Sequence, residues 1–246
     1  MPAAIHGEGM VTTRYLKNTM SLILQIETAT TVCSVALSEN GNVLACKEIQ
    51  QRNVHAEVIT LFIDEVLKIA GKQYSELSAV AVSCGPGSYT GLRIGISVTK
   101  GLCYSLDIPF IAVETLEAMT DGMIAETAAD DVLFCPMIDA RRMEVFTAVF
   151  DADGNKVKPT SAEIIDQQSF SNLLKVNKIM FFGDGAAKCS EVLGANPNVQ
   201  IIPDFQNSAR HLTKKATEKF IRKDFEDTAY FEPYYLKDFI AGKKSV

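Results

Sequence analysis

The most distinctive stretch of the chain is GPGSYTGLRIG, residues 85–95. Glycines permit positive φ and close approach of another backbone. A glycine turn between a strand and a helix also presents free amides to an anion. Gly85, Gly87 and Gly91 give G-x-G-x-x-x-G, which is not the dinucleotide fingerprint, and no Gly-Lys-Ser/Thr follows as in a Walker loop. Anion binding and a structural turn are both open at this point. Ser83 and Ser88 lie nearby, but neither sits in G-x-S-x-G and no base can be assigned. His55 opens the first long helix, yet the fourth residue after it is Ile59, so a helical metal pair is missing. No metal and no cofactor are expected. Asp139, Arg141, Arg142 and Glu144 form a charged loop that could clamp a carboxylate or phosphate, or simply pair internally.

The elements that position these residues follow from periodicity. Apolar runs over 22–27, 32–38 and 43–49 predict three strands, the last two joined by a turn at Asn40-Gly41. A helix is predicted over 54–70, a strand buried on both faces over 77–83, a helix over 90–106, a strand over 109–113 and a helix over 114–128. A similar order then restarts. Strands are expected over 132–138, 144–150 and 156–165, and a short helix over 166–174 capped by Asp166. Strands follow over 178–182 and 199–202, then a helix over 208–223 capped by Ser208. The fold class is α/β: two tandem ribonuclease-H-like units, each a meander continued by α-β units. Expected boundaries are an extension over 1–19, a first unit over 20–113 and a second over 114–228, with 229–246 packing back on the first.

Composition sets limits. The chain has 246 residues, 47% hydrophobic and 22% charged, with a net charge of −6. A core can be buried, and the acidic balance makes the chain a poor principal RNA binder. No apolar stretch reaches the ~20 residues that span a bilayer. Residues 1–19 show no signal-peptide pattern. Six cysteines without metal spacing point to a reducing, cytoplasmic setting.

Two helices carry surplus apolar surface. Over 54–70, Val58, Ile59, Phe62, Ile63, Val66, Leu67, Ile69 and Ala70 cover roughly 180° of the wheel, where an arc of about 100° suffices to cover a sheet. In the next helix Gly91, Gly95 and Thr99 recur every four residues, a spacing that lets another helix approach, from within the chain or from a second one.

In order, ILQIETATTVCSVAL, NVHAEVI, AVSCGPGSYTGLRIGISVTKGL, IDARRMEVF and PYYLK closely resemble the TsaB (YeaZ) family, from about Leu22 to Lys237. The resemblance implies two domains of the actin/Hsp70/sugar-kinase superfamily. It implies a subunit without catalysis of its own, acting with the catalytic subunit TsaD in forming N6-threonylcarbamoyladenosine at position 37 of ANN-decoding tRNAs. It further implies TsaE as a third component, a homodimer when the chain is alone, and tRNA contact that is indirect or weak. Pairing would use the first two helices, hence His55, Val58, Ile59, Phe62, Ile63, Val66, Gly91, Leu92, Gly95, Ile96 and Thr99. Gly85, Pro86, Gly87, Ser88 and Arg93 would form the motif turn. The first strand ends Glu27-Thr28-Ala29-Thr30 where the family more often has Asp-Thr-Ser-Thr, which weakens nucleotide binding there. A metallopeptidase or an ATP-binding kinase-like enzyme of the same superfamily is the alternative.

Overall fold

The computed structural model describes residues 21–237, so the extension over 1–19 and the tail lysines Lys243 and Lys244 lie outside the described residues. β1 (Leu22–Glu27) is buried throughout and alternates with the period of a strand. Leu22, Leu24 and Ile26 face one core cluster and Ile23 faces another. β2 (Val32–Glu39) and β3 (Asn42–Gln50) run back and forth beside it. Asn40 and Gly41 turn the chain between them at φ 53° and 79°, the left-handed pair that a tight hairpin demands. After α1 (His55–Ala70), β4 (Ala79–Gly85) returns parallel to β1. α2 (Tyr89–Leu106) then leads to β5 (Phe110–Glu114), giving the sheet order β3-β2-β1-β4-β5.

The second half repeats this plan. After α3 (Thr115–Thr127) come β6 (Val132–Asp139), β7 (Glu144–Phe150), β8 (Lys156–Ile164), α4 (Ser171–Leu174), β9 (Lys178–Phe182), α5 (Ser190–Leu193) and β10 (Val199–Ile202). The order β10-β9-β6-β7-β8 is the first sheet's order read from the other edge. Each sheet is an antiparallel meander extended by two parallel strands, the duplicated ribonuclease-H-like architecture expected from the sequence.

The layers alternate helix and sheet. α1 and α2 cover the outer face of the first sheet through Ile59, Ile63, Val66 and Ile96. α3 lies between the sheets, with Leu116, Met119 and Met123 against Phe134 and Phe182 of the second and Ala118 among the residues of the first. α4 and α5 contribute Leu174 and Leu193 to the far face of the second sheet.

Several details differ from the sequence expectations. Asp166 caps no helix; its carboxylate accepts from the amide of Gln168 at 2.9 Å in a turn, and α4 starts only at Ser171. The last helix begins as a 3-10 turn, Ala209–Leu212, with Ser208 as its cap, and becomes α6 (Thr213–Arg222). α6 lies beyond the expected boundary of the first unit, yet its Ala216 packs with Ile23, Ile111 and Val113 of the first sheet. His211, whose neighbours Arg210 and Lys214 are polar, is nonetheless buried at 8% exposure. Its ring stacks on Phe205 at 5.2 Å, and Phe205 meets Phe182 edge-on at 4.9 Å, so an aromatic chain joins the second sheet to this segment.

Burial holds the His211 imidazole neutral, pushing its pKa down to about 4. The unfolded chain takes that proton near pH 6.5. Between these values the unfolded state binds more protons, so stability is lost as pH falls. His211→Phe, which keeps the stack and cannot titrate, should lose on the order of 2 kcal/mol less than the parent between pH 7 and 4.5. Urea unfolding at both pH values measures this; equal losses would show that the imidazole is not held neutral.

Candidate functional site

Both outer helices are seated by one loop, Thr28 to Thr31, at the end of β1. On one side the ring Nε2 of His55, at the start of α1, lies 3.1 Å and 3.2 Å from the carbonyl oxygens of Thr30 and Val32. Two acceptors there require Nε2 to carry the proton. On the other side, the amide of Ser88 donates to the Ala29 carbonyl at 2.7 Å. A Cβ at Gly91 or Gly95 would run into the carbonyl or hydroxyl oxygen of Thr28, and one at Gly87 into Ala29. The glycine turn is thus a backbone-to-backbone fit. The Gly85–Pro86 peptide is cis, with Gly85 at φ 121°. Ser88 serves as the N-cap of α2, accepting from the Gly91 amide at 3.2 Å.

The loop is held from below by Glu27. Its Oε1 accepts from the Ala29 amide at 2.6 Å and from the Ser83 hydroxyl at 2.9 Å. Its Oε2, the Thr28 hydroxyl and the Asn207 amide nitrogen are buried without a hydrogen bond among the described residues. Burial pushes the Glu27 carboxyl up to about 7, against the Ala29 and Ser83 bonds that favour the anion. A phosphate between this loop and the glycine turn would need their contact opened. Among the described residues no group of three or more His, Cys, Asp and Glu could hold a metal ion.

These contacts place most of the expected partner set within the chain's own packing. Ile59, Ile63, Val66, Leu92 and Ile96 are buried in the chain's own core, at most 4% exposed. Gly91, Gly95 and Thr99 are buried too: the two glycines abut Thr28, and the Thr99 hydroxyl donates to the Gly95 carbonyl. His55 is buried by its bonds to the loop. The small-residue stripe is therefore intramolecular packing. Of the expected set, Val58 and Phe62 stay half-buried, beside Leu61 at 57% exposure and Ile69 at 61%.

What the two helices do present is a groove of about 620 Å³ between them, whose wall includes Ala56, Thr60, Ile94, Ser97 and Val98, with Ile59 at its floor. One end is rimmed by Tyr89 and Arg93. The Arg93 guanidinium lies 4.2 Å over the Tyr89 ring and donates to the Tyr235 hydroxyl at 3.1 Å, while Tyr235 stacks on Tyr89 at 4.7 Å. Sequence reasoning expected the 229–246 segment, with its PYYLK stretch, to pack back on the first unit, and Tyr234 and Tyr235 do so against Cys84, Tyr89 and Arg93, but it gave the segment no part in a groove. It also passed over Ile94, Val98 and Leu102, an apolar stripe at four-residue spacing beside the glycines and the one signal that could have found the groove.

Comparison with known proteins decides the family. A family model described as TsaD: tRNA N6-adenosine threonylcarbamoyltransferase matches residues 42–241. The tRNA threonylcarbamoyladenosine biosynthesis protein TsaB of Haemophilus influenzae is 30% identical over 233 residues, covering 90% of this chain and 96% of that protein. The chain belongs to the TsaB (YeaZ) family. The TsaB of Escherichia coli is 39% identical over 135 residues, a match spanning 55% of this chain and 57% of that protein. The solved YeaZ structure from Pseudomonas aeruginosa superposes with a TM-score of 0.73 at 25% identity, over 88% of this chain and 100% of that one. The GPGSYTG stretch of this family member is thus a structural joint, and the surface it creates is the α1–α2 groove.

Two predictions follow from the joint. Gly95→Ala should destabilise the fold by roughly 1–3 kcal/mol, because its methyl group meets Thr28 in a close-packed site; an unchanged denaturation midpoint would mean the loop is free to move. Glu27→Gln bears on pH. The folded carboxyl keeps its proton to about pH 7 while the unfolded one loses it near 4.5. The folded state therefore binds more protons in that window, and parent stability is lost as pH rises. The variant should match the parent below pH 4.5 and exceed it by about 3 kcal/mol at pH 8. Parallel profiles across that range would contradict the buried carboxylic acid.

Proposed function

We propose that this chain is a non-catalytic subunit in the synthesis of N6-threonylcarbamoyladenosine on ANN-decoding tRNAs, acting by binding and activating the catalytic subunit TsaD. The observation that carries this is the α1–α2 groove: apolar at its centre, polar at its rim and built on helices locked to the sheet. The TsaD family model matches residues 42–241, which include both helices, so the partner would bring a related pair. Two such pairs can meet about a pseudo-twofold axis, each filling the other's groove. The same geometry lets two copies of this chain pair when TsaD is absent. TsaE would join as a third component.

The alternatives find less support. A kinase-like enzyme would need an ionised acid facing an open phosphate site, whereas Glu27 is fully buried beneath a closed loop. A metallopeptidase would need clustered ligands, and none occur among the described residues. The six cysteines are all unpaired thiols, in keeping with a cytoplasmic setting, and no helix among the described residues is long and apolar enough to cross a membrane.

Light scattering with size exclusion tests the proposal, on the chain alone and mixed with TsaD from the same source. A new 1:1 species is expected. Thr60 and Ser97 line the groove and are exposed, so Thr60→Arg with Ser97→Arg should abolish that species while shifting stability by no more than about 0.5 kcal/mol. Absence of a complex, or normal pairing by the double variant, would overturn it.

A further inference from the structure

The β6–β7 hairpin turns through Arg141 and Arg142, both at positive φ, 75° and 50°. Asparagine and glycine are the residues that suit such consecutive positions; arginine takes them at a conformational cost. The turn is nonetheless firmly built. The Arg141 amide donates to Asp139 Oδ1 at 2.8 Å, and the Ala140 and Glu144 amides close the turn at 3.1 Å each. The Lys188 ammonium bonds the same Asp139 oxygen and also the Glu144 carbonyl at 2.6 Å.

The charges around this turn are unevenly paired. Asp139 is neutralised by Lys188, and Glu144 by Lys237 at 2.5 Å. The two lysines therefore occupy the acids that would otherwise hold the arginines. Both guanidinia are exposed and neither has an ion pair among the described residues. Unfavourable backbone that persists in a rigid turn is commonly retained for function. What this turn presents is two adjacent planar forks suited to bidentate bonds with phosphate.

We propose that the Arg141–Arg142 turn contacts backbone phosphates of the RNA substrate once this chain is assembled with its catalytic partner. The inference rests on the functional reading above, which supplies the RNA. It also fits the acidic chain: at net charge −6, two guanidinia would not hold RNA alone, but they can add to a complex that already positions it. Their contribution is sequence-independent and salt-sensitive, as phosphate contacts are.

The test uses the complex with TsaD and an unmodified ANN-decoding tRNA transcript, with pairing read by light scattering before RNA is added. The variant Arg141→Asn with Arg142→Gly removes both guanidinia and relaxes the turn, so misfolding does not confound it. Its thermal midpoint should rise by roughly 2–4 °C. It should still pair with TsaD, while its Kd for the tRNA rises on the order of tenfold at moderate salt. The slope of log Kd against log salt should fall by roughly 1.5, the loss of two phosphate contacts. An unchanged Kd and slope would overturn the proposal, as would a parent complex that binds no tRNA. Loss of pairing in the variant would overturn it too, assigning the arginines to the protein interface. Failure of the parent chain to pair with TsaD would be seen before RNA is added; it would remove the functional reading and this proposal with it.

Discussion

The contact between the Thr28–Thr31 loop and the glycine-bearing first turns of α2 sets the outer surface of the molecule. A helix normally rests on a sheet through side chains, which keep their axes about 10 Å apart and leave some freedom to slide. Here Gly87 and Gly91 bring backbone against the backbone of Ala29 and Thr28, and Gly95 leaves room for the Thr28 hydroxyl. The same loop receives His55 at the head of α1. Neither helix can shift without disturbing a buried polar bond, so the groove between them is preorganised. A preformed surface spends less of its binding energy on ordering, which suits the partner binding proposed for it.

The region between the two sheets follows a different logic. Glu27 approaches from the first sheet, and the segment carrying Phe205, Asn207, Ser208 and His211 enters from the second. The Ser208 hydroxyl donates to Glu48 at 2.7 Å, and the Ala209 amide donates to the Ser34 hydroxyl at 3.0 Å. Polar groups with partners thus alternate with buried ones that lack them. Burial raises the acid and lowers the imidazole, so their stability effects run in opposite directions over overlapping pH ranges. Each masks the other in the intact chain, and neutral groups at both positions keep the layer free of buried charge.

The element order was legible because strand and helix periods differ and the duplicated order of strands repeats them. The glycine turn was legible as a motif, but its job was not. Gly91, Gly95 and Thr99 form a stripe that looks the same whether it meets another chain or this one, and only the position of Thr28, over sixty residues earlier, separates the two. Ile59 and Ile63 illustrate the same limit. A helical wheel reports how wide an apolar arc is and not which part of it the sheet consumes. The burial of His211 is hidden in the sequence for a related reason, since its neighbours Arg210 and Lys214 are polar while its ring is sheltered by Phe205 and Gly122, brought from elsewhere in the fold.

The closed joint also bears on where this fold could receive a ligand. In a duplicated α/β architecture the ends of β1 and β4 are where loops can open to receive a ligand. In this chain that position is filled: Glu27 is turned inward, the loop above it is wedged against α2, and the 205–212 segment crosses beneath. Opening it would break the Ser88–Ala29 and Ser83–Glu27 bonds and expose the floor on which both outer helices stand. Stability of the groove and closure of the cleft are therefore one property. With the joint closed, the surfaces this chain presents around it are its outer helices and loop tips.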